Sequence, residues 1–158
     1  MDKYFSMIQL NLPPCTLNVR DLATGQEVFD PFRKRFVALT PEEWVRQNFL
    51  NFLVDHMGYP KGLIAVEKQL KLNGLTKRCD ILAYSKAGVP VLLVECKAPS
   101  VALTNEVFAQ AARYNLTLKV PFMVITNGLS HYAASISFAD SSFELLASFP
   151  SFETVSAE

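Results

Sequence analysis

The chain has 158 residues, half of them apolar, with 15 basic and 15 acidic side chains and hence no formal net charge. This length and composition suit one folded domain with its own core and exclude a disordered or fibrous chain. The charge balance argues against an extended nucleic-acid-binding surface, although it leaves room for a local basic patch.

The cysteines, Cys15, Cys79 and Cys96, are widely spaced and form no CxxC, so neither a disulfide framework nor a zinc site is expected. Their expected state is a buried, unreactive thiol. The first residues lack the apolar core of a signal peptide, and no apolar run approaches the roughly 20 residues that cross a bilayer. A soluble, cytoplasmic protein is expected, with no membrane partner.

Residues 5 to 20 contain an apolar segment broken by Pro13-Pro14, followed by Thr16-Leu17-Asn18-Val19-Arg20. With Gln26-Glu27-Val28-Phe29 beyond Gly25, this predicts a short hairpin. Arg33-Lys34-Arg35 is the densest basic run; it reads as a solvated loop or as a phosphate-contacting patch. Thr40-Pro41-Glu42-Glu43 opens a helix, with Thr40 as cap, Pro41 in the first turn and Glu43 completing a capping box. Trp44, Val45, Phe49, Phe52, Leu53 and Met57 form its apolar face, and Gly58 ends it.

Leu63 to Leu72 and Leu75 to Tyr84 alternate as strands about Asn73-Gly74, the strongest short hairpin signal. A two-residue turn there sets Leu72 against Leu75, Gln69 against Arg78 and Glu67 against Asp80. Strict alternation then predicts Glu67, Gln69, Arg78 and Asp80 on one face. Ile64, Val66, Leu70, Leu72, Leu75, Cys79 and Ile81 fall on the other, with Lys68 and Lys77 as exceptions. Ser85 to Pro90 is a loop. Val91 to Lys97 is the next strand, on which Glu95 and Lys97 point one way and Cys96 the other. Thr104 to Leu118 predicts a second helix that sets Gln110 and Tyr114 one turn apart on a shared face, beside Arg113. Val120 to Thr126 predicts a buried strand closed by Asn127-Gly128. A terminal hairpin turns at Ala139-Asp140-Ser141, and a loose tail follows. The expectation is a single domain over 1–158, with no repeat or linker.

Charges inside oily strands are costly to bury, so Asp80, Glu95 and Lys97 point to chemistry. Glu67, Asp80 and Glu95 are expected to project from neighbouring strands. Carboxylates about 4 Å apart repel by roughly 4 kcal/mol at an effective dielectric of 20. Oxygen donors in such a cluster suit Mg²⁺ or Mn²⁺. A lysine beside them can orient or help deprotonate an attacking water, which points to metal-assisted phosphodiester hydrolysis.

Asp80 and, after fourteen intervening residues, Glu95-Cys96-Lys97 match the PD-(D/E)XK nuclease pattern. Its neighbours are more specific: Pro41-Glu42-Glu43-Trp44-Val45-Arg46-Gln47, Val94 to Pro99, Gln110-Ala111-Ala112-Arg113-Tyr114-Asn115 and Ile125-Thr126-Asn127-Gly128. Together they resemble the N-terminal nuclease domain of type I restriction enzyme R subunits over roughly Asp30 to Phe149. The resemblance implies a restriction-endonuclease-like α/β (α+β) fold, a mixed central sheet flanked by helices, here with extra hairpins at both ends. It implies Asp80 and Glu95 as metal ligands, with the Cys96 carbonyl as a further ligand and Lys97 serving the water. Gln110 and Tyr114 match the family's Q-x-x-x-Y motif near DNA. Glu67 and Glu43 are candidates for the extra acidic residue of some members. Cys79 replaces the motif's proline, which leaves the site intact.

R subunits couple this domain to an ATP-driven translocase, but the chain has no GxxxxGK[ST]. DNA, other restriction-system subunits, a separate motor protein or further copies of the chain are the partners to expect. Two readings follow: a Mg²⁺-dependent DNA endonuclease, and a non-cleaving DNA- or protein-binding module of the same fold. Simpler explanations stand beside the individual residues. Asp80, Glu95 and Lys97 can be an interstrand ion pair, Glu67 can pair with Lys68, Lys77 or Arg78, and Glu43 can be a cap alone. Gln110 and Tyr114 can be a polar helix surface. His56 near a helix end and His131 at a strand start have no catalytic partner in sequence.

Overall fold

The computed structural model of the chain describes residues 7–157, apart from the side chains of Leu72 and Leu75. Residues 1–6, from which a missing signal peptide is read, and the expected facing of Leu72 and Leu75 lie outside that set.

The hairpin expected at Gly25 forms from β1 (Val19–Leu22) and β2 (Gly25–Asp30) and grows to an antiparallel three-stranded sheet with β3 (Arg35–Ala38). The added strand divides the basic run. Arg33 turns inward onto Asp30 and Glu43, Lys34 takes a left-handed φ of 55° in the turn, and Arg35 pairs with Asp30 across the strands. Arg33 is therefore neither a solvated loop residue nor a free phosphate contact, because two buried carboxylates hold it.

Helix α1 (Pro41–His56) begins where its cap predicts, with Thr40 Oγ1 accepting from Glu43 N at 3.0 Å. The other half of the expected capping box, from the Glu43 side chain back to Thr40, does not form. The Glu43 carboxylate is committed to Arg33 and Arg46. The buried arc of α1 is also wider than its apolar face, since Arg46, Gln47 and Asn48 join Val45, Phe49, Leu50 and Leu53 inside.

A 3-10 turn at Lys61–Leu63 leads into β4 (Ile64–Leu72) and β5 (Leu75–Tyr84). Asn73 and Gly74 take φ of 50° and 79° between them, the positive pair that a tight two-residue hairpin requires. Then come β6 (Pro90–Cys96), α2 (Asn105–Leu118), β7 (Phe122–Thr126), β8 (His131–Ser137), β9 (Ser142–Leu145) and α3 (Phe152–Ser156). Strands β4 to β9 lie in chain order in one sheet. Only the β6–β7 pairing is parallel, and α2 makes the crossover.

Each face of this sheet carries its own core. Val45, Phe49, Leu50 and Leu53 of α1 pack on Ile81, Ala83, Leu92, Val94, Cys96 and Val124. On the opposite face, Phe108, Ala111 and Ala112 of α2 pack on Cys79, Leu82, Leu93, Met123 and Ile125. This is the mixed sheet between helices that the sequence leads one to expect.

The strict alternation predicted for β4 and β5 does not hold. Ile64, Val66 and Ile81 face the α1 side, whereas Leu70 and Cys79 face the α2 side. The cause is local. Glu67 has φ of 57°, a left-handed conformation inside a strand, and it falls between the pairs Val66↔Ile81 and Lys68↔Cys79. One residue of opposite handedness reverses the pleat without inserting an extra residue, so register survives while facing flips.

The expected loose tail is also ordered. Ser151 caps α3, Val155 is buried, Phe152 N donates to Met57 O at 2.9 Å, and Tyr59 Oη donates to Pro150 O at 2.8 Å. Apolar Phe149, Phe152 and Val155 bring it back onto the α1-side core.

Candidate active site

The β5–β6 ladder stops at Ile81↔Val94. One step further it would set Asp80 against Glu95. Instead, Cys96 N donates to Asp80 Oδ2 at 2.8 Å, so the Asp80 carboxylate lies against the Glu95-Cys96-Lys97 backbone. Burial pushes the Asp80 carboxyl up to about 6. The Cys96 amide and Arg46 oppose that rise, and Glu95 adds to it. Asp80 is thus a carboxylate whose burial its hydrogen-bond and charge partners only partly offset.

On the α1 side, Arg46 gathers the acids. Its Nε donates to Glu43 Oε2 at 2.7 Å, and its Nη1 reaches both Glu67 Oε1 and, at 3.3 Å, Asp80 Oδ1. Arg78 also pairs with Glu67. Burial pulls the Arg46 pKa down, but its bonds to Glu43 and Glu67 outweigh that and raise it. With side-chain exposure of 7 %, Arg46 is a permanent buried cation. Glu67 and Asp80 do come together, as the register requires, and an arginine joins them.

On the α2 side lies a cleft of about 120 Å³, lined by Lys77, Glu95, Lys97, Val107, Gln110, Ala111 and Tyr114. Glu95 Oε1 pairs with Lys77 Nζ at 2.7 Å, and Glu95 Oε2 lies 3.8 Å from Lys97 Nζ. The Lys77 ammonium sits 5.0 Å from the centre of the Tyr114 ring. Burial lowers the Lys77 pKa, but Glu95 and then Asp80 more than reverse this. Gln110 and Tyr114 thus share a cleft with Glu95 and Lys97: one-turn spacing and strand parity set each pair on one face, and the packing of α2 on the sheet brings the two pairs together.

Among the described residues, no three of His, Cys, Asp and Glu converge closely enough to hold a metal ion. The three-carboxylate cluster expected of Glu67, Asp80 and Glu95 is therefore drawn apart. Arg46 holds Glu67 and Asp80 toward α1, while Lys77 and Lys97 hold Glu95 toward α2. Asp80 and Glu95 offer carboxylate oxygens, the donor type that a hard divalent cation takes. Glu43 lies behind Arg46 and outside the cleft.

Sequence reasoning missed Arg46 and Lys77. Arg46 follows Glu43 by three residues on a helix, the spacing of an ion pair. Lys77 interrupted a predicted apolar face. Cys79 and Cys96 are buried as expected, and burial raises the first thiol to about 11 and the second well above its ordinary range. Cys15 is only half-buried, where its thiol donates to Asn48 Oδ1 at 3.3 Å. Neither histidine lines the cleft. His131 bridges Thr126 Oγ1 at 2.7 Å and the Asn11 carbonyl at 2.9 Å, while His56 stacks on Phe52. No helix among the described residues is long and apolar enough to cross a membrane.

No curated protein matches the chain. A solved fragment described as an HsdR subunit of a type I restriction enzyme from Vibrio vulnificus YJ016 is similar at 20 % identity and a TM-score of 0.47. The match covers 70 % of this chain and 24 % of that one, so this chain spans about a quarter of its length. The family model described as type I restriction enzyme R protein N terminus (HSDR_N) matches residues 41–150, from the first turn of α1 to the segment that leads into α3. The chain belongs to the family of type I restriction enzyme R protein N termini.

Proposed function

We propose that this domain is a Mg²⁺- or Mn²⁺-dependent DNA endonuclease module of a restriction system, acting with DNA and with other restriction-system subunits. The observation that carries this reading is the parted end of β5 and β6. Asp80 leans there on the Cys96 amide, and Glu95, Lys97, Gln110 and Tyr114 share the adjoining cleft.

Asp80 and Glu95 would hold the cation, with the Cys96 carbonyl as third oxygen. When bound, the cation polarises the scissile phosphate and lowers the pKa of water. Lys97, on the same face as Glu95, orients the attacking water and offsets charge on the pentacoordinate phosphorus. Water oxygen forms the new bond to phosphorus as one of its protons passes to solvent, the bond to the leaving sugar oxygen breaks, and that oxygen takes up a proton from water. Gln110 and Tyr114 extend the cleft along α2 toward Arg113, where a DNA backbone would run.

The test is incubation of plasmid and linear DNA with the protein in Mg²⁺, Mn²⁺ or EDTA, beside Glu95→Ala. Metal-dependent cleavage lost in Glu95→Ala supports the reading. Equal cleavage by the two proteins overturns it.

A binding-only reading has one observation in its favour. Arg46 and Lys77 already meet the Asp80 and Glu95 carboxylates with positive charge. Metal-independent DNA binding without cleavage, with or without a partner subunit, would select it.

A further inference from the structure

Lys77 occupies a place in the cleft that strict strand alternation does not give it. It stands four residues before Ile81, so an unbroken pleat would put the two on one face, the α1 side. The reversal at Glu67, carried across to β5 between Cys79 and Ile81, sets Lys77 with Cys79 on the α2 side while Asp80 reaches Arg46. Its ammonium therefore lies against Glu95 Oε1 at 2.7 Å and over the Tyr114 ring at 5.0 Å. Lys97, which the motif emphasises, is farther from the same carboxylate at 3.8 Å, and its side chain is more exposed, 37 % against 24 %. The nearer and drier cation is Lys77.

From this geometry we infer that Lys77 is the resident counter-ion of Glu95, a positioning residue that a divalent cation must displace and that then turns its ammonium to a DNA phosphate. The inference rests on the metal-dependent reading above. Both charges compete for one carboxylate, so an ion that takes Glu95 releases Lys77 beside Tyr114. There a polyanion is the nearest new partner for a freed ammonium. Metal binding and DNA binding are thereby coupled through one side chain, each strengthening the other.

The experiment uses the whole chain and Mn²⁺ alone as probe, read by the electron paramagnetic resonance of free Mn²⁺. Wild type is compared with Lys77→Met, Lys77→Arg and Lys97→Met, each checked for folding by circular dichroism. An opposite charge at this distance shifts an ionic equilibrium by one to three decades. Lys77→Met is therefore expected to bind Mn²⁺ about tenfold or more tightly. Lys77→Arg should stay near wild type, and Lys97→Met should change less than Lys77→Met. A second arm measures affinity for a duplex oligonucleotide in Ca²⁺ and in EDTA. Wild type should gain affinity with Ca²⁺, and Lys77→Met should lose most of that gain while keeping its affinity in EDTA.

Wild-type Mn²⁺ binding that Lys77→Met leaves unchanged or weakens overturns the role of Lys77 and spares the metal site. No Mn²⁺ binding by any of the four proteins overturns both. If Lys77→Met misfolds, Lys77→Gln replaces it under the same criteria.

Discussion

Glu67 and Asp80 share one nitrogen of Arg46, from opposite positions on β4 and β5. Two carboxylates from adjacent strands are thus held by a helix residue rather than by each other. Arg46 in turn anchors on Glu43, which also receives Arg33. The chain of charges runs Asp30, Arg33, Glu43, Arg46, Glu67 and Asp80, tying the small N-terminal sheet to the central one.

Arg46→Met should be strongly destabilising, because it leaves buried Glu43 and half-buried Glu67 and Asp80 together without their shared cation. Breaking a buried pair from one side costs about 3–5 kcal/mol. Urea unfolding of the two proteins measures it. A loss under about 1 kcal/mol would show the arrangement to be no stronger than a surface ion pair.

Asp80 governs a pH dependence of the metal-free protein. Its native pKa of about 6 lies above the ordinary 3.8, so between those values the native state binds more protons than the unfolded chain. The stability from this group is full below about pH 4 and is lost as pH rises through about 6. Asp80→Asn should therefore raise the melting temperature at neutral pH in EDTA, by up to roughly 3 kcal/mol of stability. It should also flatten the profile between those pH values. A variant less stable than wild type at neutral pH would mean that its bond to Arg46 outweighs burial.

Removing Lys97 separates binding from chemistry. Lys97→Ala should leave Mg²⁺ affinity little changed, since Asp80 and Glu95 remain, while DNA cleavage falls by roughly 100-fold or more. Glu95→Ala should lose both. Calorimetry for the ion and a plasmid assay for cleavage read the two effects. Equal cleavage by wild type and Lys97→Ala would reduce Lys97 to a structural partner of Glu95.

The left-handed backbone at Glu67 can be isolated from its carboxylate. Glu67→Gly and Glu67→Val both discard the ion pairs, but only glycine takes φ of 57° without strain. Valine should be less stable than glycine by about 1–2 kcal/mol. The opposite order, expected of an ordinary strand position where valine is favoured, would contradict the pleat reversal.

What the sequence alone determined is local. Thr40 and Thr104 mark the helix starts because a capping hydroxyl needs only the next three residues. Asn73-Gly74 sets the register of its hairpin because positive φ at two neighbouring positions dictates a tight turn. Glu95, Lys97, Gln110 and Tyr114 were legible together, since strand parity and one helical turn place each pair on one face. The tertiary structure alone decided which charges meet. Arg46 reaches Asp80 across 34 positions of sequence, and Lys77 reaches Glu95 only because the pleat reverses at Glu67, between the Lys68↔Cys79 and Val66↔Ile81 pairs. A single left-handed residue leaves no periodic trace, and ion pairing between elements depends on packing that no local pattern encodes. The same holds for the terminal segment, whose Phe152 and Val155 look like a loose end until the α1-side core offers them somewhere to be buried.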